Sequence, residues 1–290
     1  MPYVSARDGT QLYVKQLGTG RPVILIHGWP LSADSWDPQM IALAENGYRA
    51  IAYDRRGFGR SDQPPAGYDY DTFADDLAAV AEATGATDHA ALVGFSMGGG
   101  EVVRYMARHR GRGVSQAVLV SSVVPYLLKT DDNPHGVEQS TFDGMDEGMR
   151  KDFRGFFKDF FKTFYGIGML SHPVGEAQLE WAWMTSQMAG QYATLQAAKA
   201  FAATDFRPDL VHLTVPVLVI HGTGDDIVPI KATSRAVADA VPTARLVEYP
   251  GEPHAVFATR QDRLTADLID FLGGGMRGHD GATAAMRHDA

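Results

Sequence analysis

Short apolar runs alternate with amphipathic stretches along most of the chain. The runs that predict strands are 11–17, 23–27, 49–53, 89–95, 114–121, 217–222 and 244–249. Apolar residues at helical spacing predict helices at 36–45, 70–84, 97–109, 230–240 and 259–272. Strands that alternate with helices in this way indicate an α/β fold, with a mostly parallel, doubly wound sheet covered on both faces.

The alternation stops between residues 122 and 206, where helical segments follow one another without a strand. We therefore predict a helical cap over 122–206, inserted into a core domain made of 1–121 and 207–272. Large apolar residues recur along the cap at helical spacing, and most should bury it against the core: Phe153, Phe156, Phe157, Phe160, Phe161, Phe164, Trp181, Trp183 and Met184. The polar segment 273–290 has little to bury and is predicted to be a flexible tail.

The stretch Gly94-Phe95-Ser96-Met97-Gly98 joins the predicted strand at 89–95 to the predicted helix at 97–109. A serine on a sharp turn between strand and helix is typical of a nucleophile elbow, which tolerates only small residues two positions either side. Gly94 and Gly98 meet that requirement. Ser96 is therefore the candidate nucleophile.

A serine hydroxyl needs a base to remove its proton and a carboxylate to orient that base. In an elbow enzyme the acid and the histidine follow the serine in that order, on loops at the carboxyl ends of later strands. The turn after strand 217–222 offers Asp225 and Asp226 as acids, and the loop after strand 244–249 offers His254 as the base. Asp205 and Asp209 precede strand 217–222 and so belong to the wrong end of the sheet.

The other histidines are expected to have structural rather than catalytic roles. His27 and His221 each close a predicted strand, and we expect both to be satisfied by hydrogen bonds there. The sequence contains no His-x-x-x-His pair and no cysteine, so no metal site is predicted.

Several segments together make the chain resemble the α/β-hydrolase fold, and within it the cofactor-free haloperoxidases, or perhydrolases, and their arylesterase relatives. The resemblance extends over about residues 3–272 and is carried by 27–32, 54–61, 94–101, 129–134 and 221–229. It implies that Asp225 is the catalytic acid, with Asp226 as the alternative. Two positions depart from the family pattern, which more often has an acid at Thr223 and a glutamine at Asp226.

Acyl transfer also needs two N–H donors for the developing oxyanion. One is expected from Met97, directly after the nucleophile, and the resemblance implies the backbone N–H of Trp29 as the other. The resemblance also singles out Pro30, because arylesterase relatives often carry leucine there and perhydrolase-like members carry proline. A cap over such a site should form an aromatic, uncharged pocket that favours small apolar or aryl acyl groups over ionic substrates.

Composition limits which binding partners and which cellular location are expected for this protein. The net charge of −9 argues against binding to nucleic acid or to an anionic membrane surface. The absence of cysteine, of an apolar leader and of a spanning segment predicts a cytoplasmic protein. The expected partners are a small ester or carboxylic acid together with water or hydrogen peroxide, and no cofactor is expected. The sequence leaves open whether the protein forms a homo-oligomer.

The sequence thus predicts a serine hydrolase that acts on small carboxylic esters through an acyl-enzyme, with perhydrolase activity. A plain carboxylesterase, arylesterase or lactonase is the first alternative, and a slow-turnover ligand receptor on the same fold is the second. Dehalogenation and epoxide opening are excluded, because the relatives that perform them carry aspartate where Ser96 stands.

Overall fold

The computed structural model describes residues 2–274, and in this part of the chain eight strands form one sheet in the order β1-β2-β4-β3-β5-β6-β7-β8. The strands are β1 Tyr3–Ser5, β2 Gln11–Gly18, β3 Arg21–Ile26, β4 Tyr48–Tyr53, β5 Ala90–Phe95, β6 Val114–Val120, β7 Val217–Gly222 and β8 Ala244–Tyr249. Strands β3 to β8 pair in parallel, whereas β1 and β2 add an antiparallel edge. The prediction of a mostly parallel sheet is confirmed.

The helices are α1 Asp37–Glu45, α2 Tyr70–Ala83, α3 Met97–Arg108, α4 Gln139–Lys151, α5 Phe153–Phe164, α6 Glu176–Gln187, α7 Gln191–Ala203, α8 Ser234–Ala240, α9 Val256–Thr259 and α10 Gln261–Leu272. Helix α1 packs against α10, and α2 packs against α3. Every residue of β5 and β7 is buried, as strands covered on both faces require. None of the helices within residues 2–274 is long and apolar enough to cross a membrane.

Two predicted helices differ from the structure by more than one residue. The predicted helix at 230–240 begins only at Ser234, because the backbone of Thr233, with φ −120° and ψ −96°, is not helical. The predicted helix at 259–272 begins at Gln261, because the non-helical backbone of Arg260, with φ −133° and ψ 43°, separates α10 from the short helix α9.

Helices α4 to α7 all lie between β6 and β7, where the sequence predicts the cap. Within this group α4 packs against α5 and α7, and α5 packs against α6. The division into core and cap stays a prediction. The predicted tail at 273–290 lies outside the described residues, apart from its first two.

Candidate active site

Ser96 stands at the turn between β5 and α3 in a backbone conformation that few residues adopt. Its φ is +53° and its ψ is −118°, and its side chain is almost fully buried. A Cβ at Gly94 would lie 2.4 Å from the Gly98 carbonyl oxygen, and one at Gly98 would lie 2.5 Å from the Ile26 carbonyl oxygen. The strained turn can therefore form only because both positions are glycine.

Two hydrogen bonds connect Ser96, His254 and Asp225. The Ser96 Oγ lies 2.9 Å from Nε2 of His254, and Nδ1 of the same ring lies 2.7 Å from Oδ2 of Asp225. Asp225 follows β7 and His254 follows β8, so both reach the serine from the carboxyl ends of parallel strands. The rings of Phe95 and Phe164 pack against His254, each with centroids 5.0 Å away, and restrict its orientation. The structure thus brings the three residues together in the geometry of a nucleophile, a base and an orienting acid.

The carboxylate of Asp225 accepts four hydrogen bonds. Its Oδ1 accepts the backbone N–H groups of Ile227, at 2.9 Å, and Val228, at 2.8 Å. Its Oδ2 accepts from His254 and lies 3.0 Å from Nε2 of His221. Burial alone would raise the pKa of Asp225, but the hydrogen bonds and charges of the two histidines hold this pKa well below its ordinary value. Asp225 is therefore built to stay ionised.

Asp226 differs from Asp225 in its exposure and in its polar partners. Its side chain is exposed and forms no hydrogen bond or ion pair with any residue in the described range 2–274, whereas Asp225 is fully enclosed. Asp205 pairs with Arg207 and Asp209 with Arg104, away from the site. Between positions 2 and 274 no cluster of three or more potential ligands could hold a metal ion.

The two other histidines in the region are satisfied by hydrogen bonds, as the sequence predicts. His221 lies 2.6 Å from the Ser234 hydroxyl through Nδ1, while its Nε2 reaches Val228 and Asp225. His27 accepts the Arg55 backbone N–H at Nε2 and pairs with the Gly28 carbonyl through Nδ1. Burial and the nearby Arg55 charge lower the pKa of His27 well below its ordinary value, so its ring is neutral.

The backbone N–H groups of Trp29 and Met97 are the predicted donors to an oxyanion. Neither donates to a backbone or side-chain acceptor within residues 2–274. A Cβ at Gly28 would lie 3.0 Å from the Cβ of Ser96, so the absence of a side chain there allows the loop after β3 to approach the nucleophile. The Trp29 ring is buried, its Nε1 donates to the Thr194 carbonyl, and the Trp29–Pro30 peptide bond is cis.

A buried ion pair connects the elements that carry these two N–H groups. Arg55 and Glu101 are fully buried and in direct contact. Arg55 also donates from Nη2 to the His27 carbonyl, at 2.7 Å, and so holds the end of β3. Glu101 belongs to α3, the helix that begins at Met97. The sequence gives no sign of this pair, because 46 residues separate its members and only the packing of α3 against the sheet brings them together.

A cavity of about 460 Å³ opens above Ser96 and His254. Aromatic rings form much of its wall: Trp29, Phe142, Phe156, Phe160 and Phe201. Of the cap phenylalanines, Phe157, Phe161 and Phe164 are buried in packing, as expected. The expectation of an uncharged pocket is wrong, because Asp159 and Asp226 also line the cavity. Asp159 lies on the same face of α5 as Phe156 and Phe160, and Asp226 follows the turn that carries Asp225.

A family model and two known proteins are similar to this chain over most of its length. The model of the alpha/beta hydrolase fold family matches residues 21–261. The chain is 41% identical over 273 residues to a non-heme haloperoxidase from Rhodococcus erythropolis, covering 94% of this chain and 99% of that protein. It is 40% identical over 276 residues to a bifunctional esterase/perhydrolase from Acinetobacter calcoaceticus, with the same coverage.

Solved structures resemble this one closely. A bromoperoxidase from Bacillus anthracis superposes with a TM-score of 0.89 at 38% identity, over 93% of this chain and 99% of that one. An esterase from Exiguobacterium antarcticum gives the same TM-score at 31% identity, over 93% of this chain and 98% of that one.

Proposed function

This chain belongs to the α/β-hydrolase fold family, and from that premise we propose that it cleaves small carboxylic esters through an acyl-enzyme on Ser96, with water or hydrogen peroxide as the second acceptor. The observation that carries the proposal is the continuous hydrogen-bonded path from Ser96 through His254 to Asp225 beneath an apolar cavity. The relatives named as a haloperoxidase and as an esterase/perhydrolase support the choice of acceptors.

The first half of the reaction forms the acyl-enzyme. His254 takes the proton from Ser96 as the serine oxygen bonds to the carbonyl carbon of the ester. The N–H groups of Trp29 and Met97 donate to the resulting oxyanion, and the positive end of α3 adds to this stabilisation. The carbon–oxygen bond to the alcohol then breaks, and the leaving alcohol takes the proton from His254.

The second half regenerates the serine. Water or hydrogen peroxide gives a proton to His254 and attacks the acyl carbon, and Ser96 leaves with that proton restored. Water yields a carboxylic acid, whereas hydrogen peroxide yields a peroxycarboxylic acid. The peracid then oxidises bromide away from the enzyme, giving hypobromous acid and the carboxylic acid, so the protein itself supplies no redox group.

Pro30 supports peroxide as an acceptor. A proline restricts the backbone of the residue before it, and so constrains the Trp29 peptide whose carbonyl lies beside the acyl carbon in our proposal. Such a carbonyl accepts a hydrogen bond from an attacking peroxide, which stabilises the transition state for perhydrolysis. The alternative of a plain carboxylesterase predicts that Pro30 only stiffens the loop.

The test is an assay of aryl acetates and their longer-chain homologues with and without hydrogen peroxide, after exhaustive chelation. We expect ester turnover, peracid formation and acyl-donor-dependent bromination, all unaffected by the chelator. Bromination in the absence of any ester or carboxylic acid would contradict the peracid route, and hydrolysis without peracid would favour the plain esterase. A cytoplasmic location and the use of the three residues as a catalytic triad belong to the same proposal.

A further inference from the structure

The wall of the active-site cavity carries charge of one sign. Asp159 and Asp226 line it, and no lysine or arginine among residues 2–274 does so. A cleft lined by charge of a single sign concentrates ligands of the opposite sign and repels those of the same sign. The charge of the substrate is therefore expected to matter, although most of the wall is apolar.

The two carboxylates do not contribute equally to the negative charge at the cavity. Asp159 Oδ1 lies 2.7 Å from the Nζ of Lys162, one turn further along α5, so a positive charge offsets its field. Asp226 has no such partner within the described part of the chain. Asp226 is thus the main source of uncompensated charge at the cavity.

Two aromatic rings form part of the same wall. Phe156 and Phe160 lie nearly parallel, with centroids 6.0 Å apart and an interplanar angle of 17°. These rings carry no net charge, so the charge preference of the cavity comes from the carboxylates.

We propose that this cavity favours esters that carry a cationic group, disfavours those that carry a carboxylate, and uses Asp226 as the specificity-determining residue. The inference rests on the proposed ester chemistry at Ser96. Its consequence is that free carboxylates at neutral pH are poor sources of the acyl group compared with esters. The carboxylate product of hydrolysis is repelled by the same charge.

The experiment compares two acetate esters of nearly identical shape, acetylcholine and 3,3-dimethylbutyl acetate, which differ by one positive charge. The ratio of their kcat/KM values is measured in the full-length protein at low ionic strength. Asp226→Asn should lower the ratio of cationic to neutral ester about threefold, a size typical of one charge acting through water. In 1 M salt the wild-type ratio should fall towards that of the variant, because salt screens exposed charges.

Matched variants separate the proposed cause from others. Asp226→Glu retains the charge and should restore the wild-type ratio, and Asp159→Asn should change it less than Asp226→Asn does. Asp239→Asn removes an exposed carboxylate on α8 that does not line the cavity, and should leave the ratio unchanged. Inhibition by butyrate relative to butyramide should strengthen about threefold in Asp226→Asn, less in Asp159→Asn, and not at all in Asp239→Asn.

The possible failures are distinguishable. Equal ratios for wild type and Asp226→Asn at low ionic strength, with both esters hydrolysed, would overturn the charge selection and leave the proposed function standing. Hydrolysis of neither ester by the wild type, or undiminished hydrolysis by Ser96→Ala, would overturn the proposed function itself.

Discussion

Replacing Asp225 by asparagine exchanges a group that only accepts hydrogen bonds for one that also donates. The two backbone N–H groups of Ile227 and Val228 face Oδ1, so the amide oxygen must take that position. The amide nitrogen then replaces Oδ2 and donates towards His254, whose Nδ1 must now accept. In that tautomer Nε2 carries the hydrogen and cannot remove the Ser96 proton.

The expected loss in Asp225→Asn is about 10⁴-fold in kcat, the size typical of a triad histidine held in the wrong tautomer. The assay is hydrolysis of 4-nitrophenyl acetate at pH 8, with circular dichroism to show that the variant is folded. Asp226→Asn is the matched control, and because the Asp226 side chain forms no hydrogen bond or ion pair with another described residue, we expect a change of only a fewfold. A larger loss in Asp226→Asn than in Asp225→Asn would refute the assignment.

Because the pKa of Asp225 lies below its ordinary value, its ionised form stabilises the fold above about pH 4, and this contribution is lost as the pH falls further. The difference in urea-unfolding free energy between wild type and Asp225→Asn should therefore shrink from pH 5 to pH 3, and a constant difference would contradict the low pKa. Glu101→Gln leaves the Arg55 charge buried without its partner and should lower the free energy of unfolding in urea by about 3 to 5 kcal/mol. The exposed pair of Glu82 with Arg112 provides the control, and Glu82→Gln should lower the same free energy by less than about 1 kcal/mol. Pro30→Leu should lower the ratio of perhydrolysis to hydrolysis on one acyl donor by about 1 kcal/mol, roughly fivefold, and an unchanged ratio in a folded variant would make Pro30 purely structural.

The parts of the fold that depend on local patterns could be predicted from sequence. Strands β7 and β8 have the predicted bounds, since each is a short apolar run between clear turn residues. The elbow could be located because its strained turn restricts residue choice at Gly94 and Gly98. The start of helix α8 could not be predicted, because it is set by the non-helical backbone of Thr233, which the spacing of apolar residues does not reveal.

The parts that depend on distant contacts could not be predicted. The Arg55–Glu101 pair joins the loop after β4 to helix α3, and the sheet brings these two elements together, so spacing alone gives no sign of the pair. The charge of the cavity was also missed, because the sequence shows that Asp159 and Asp226 are polar but not that both border the same space. For Phe156 and Phe160, helical spacing identifies an apolar face without distinguishing a cavity wall from packing.

The central claim is that Ser96 carries the acyl group, and trapping of the intermediate tests it most directly. The protein is mixed with excess 4-nitrophenyl acetate, quenched in acid within the first turnover, digested and examined by mass spectrometry. We expect a mass increase of one acetyl group on the peptide that contains Ser96, and no such increase there in Ser96→Ala, which should also lose ester turnover by about 10⁴-fold or more. Acetylation at another residue together with wild-type turnover in Ser96→Ala would contradict the account.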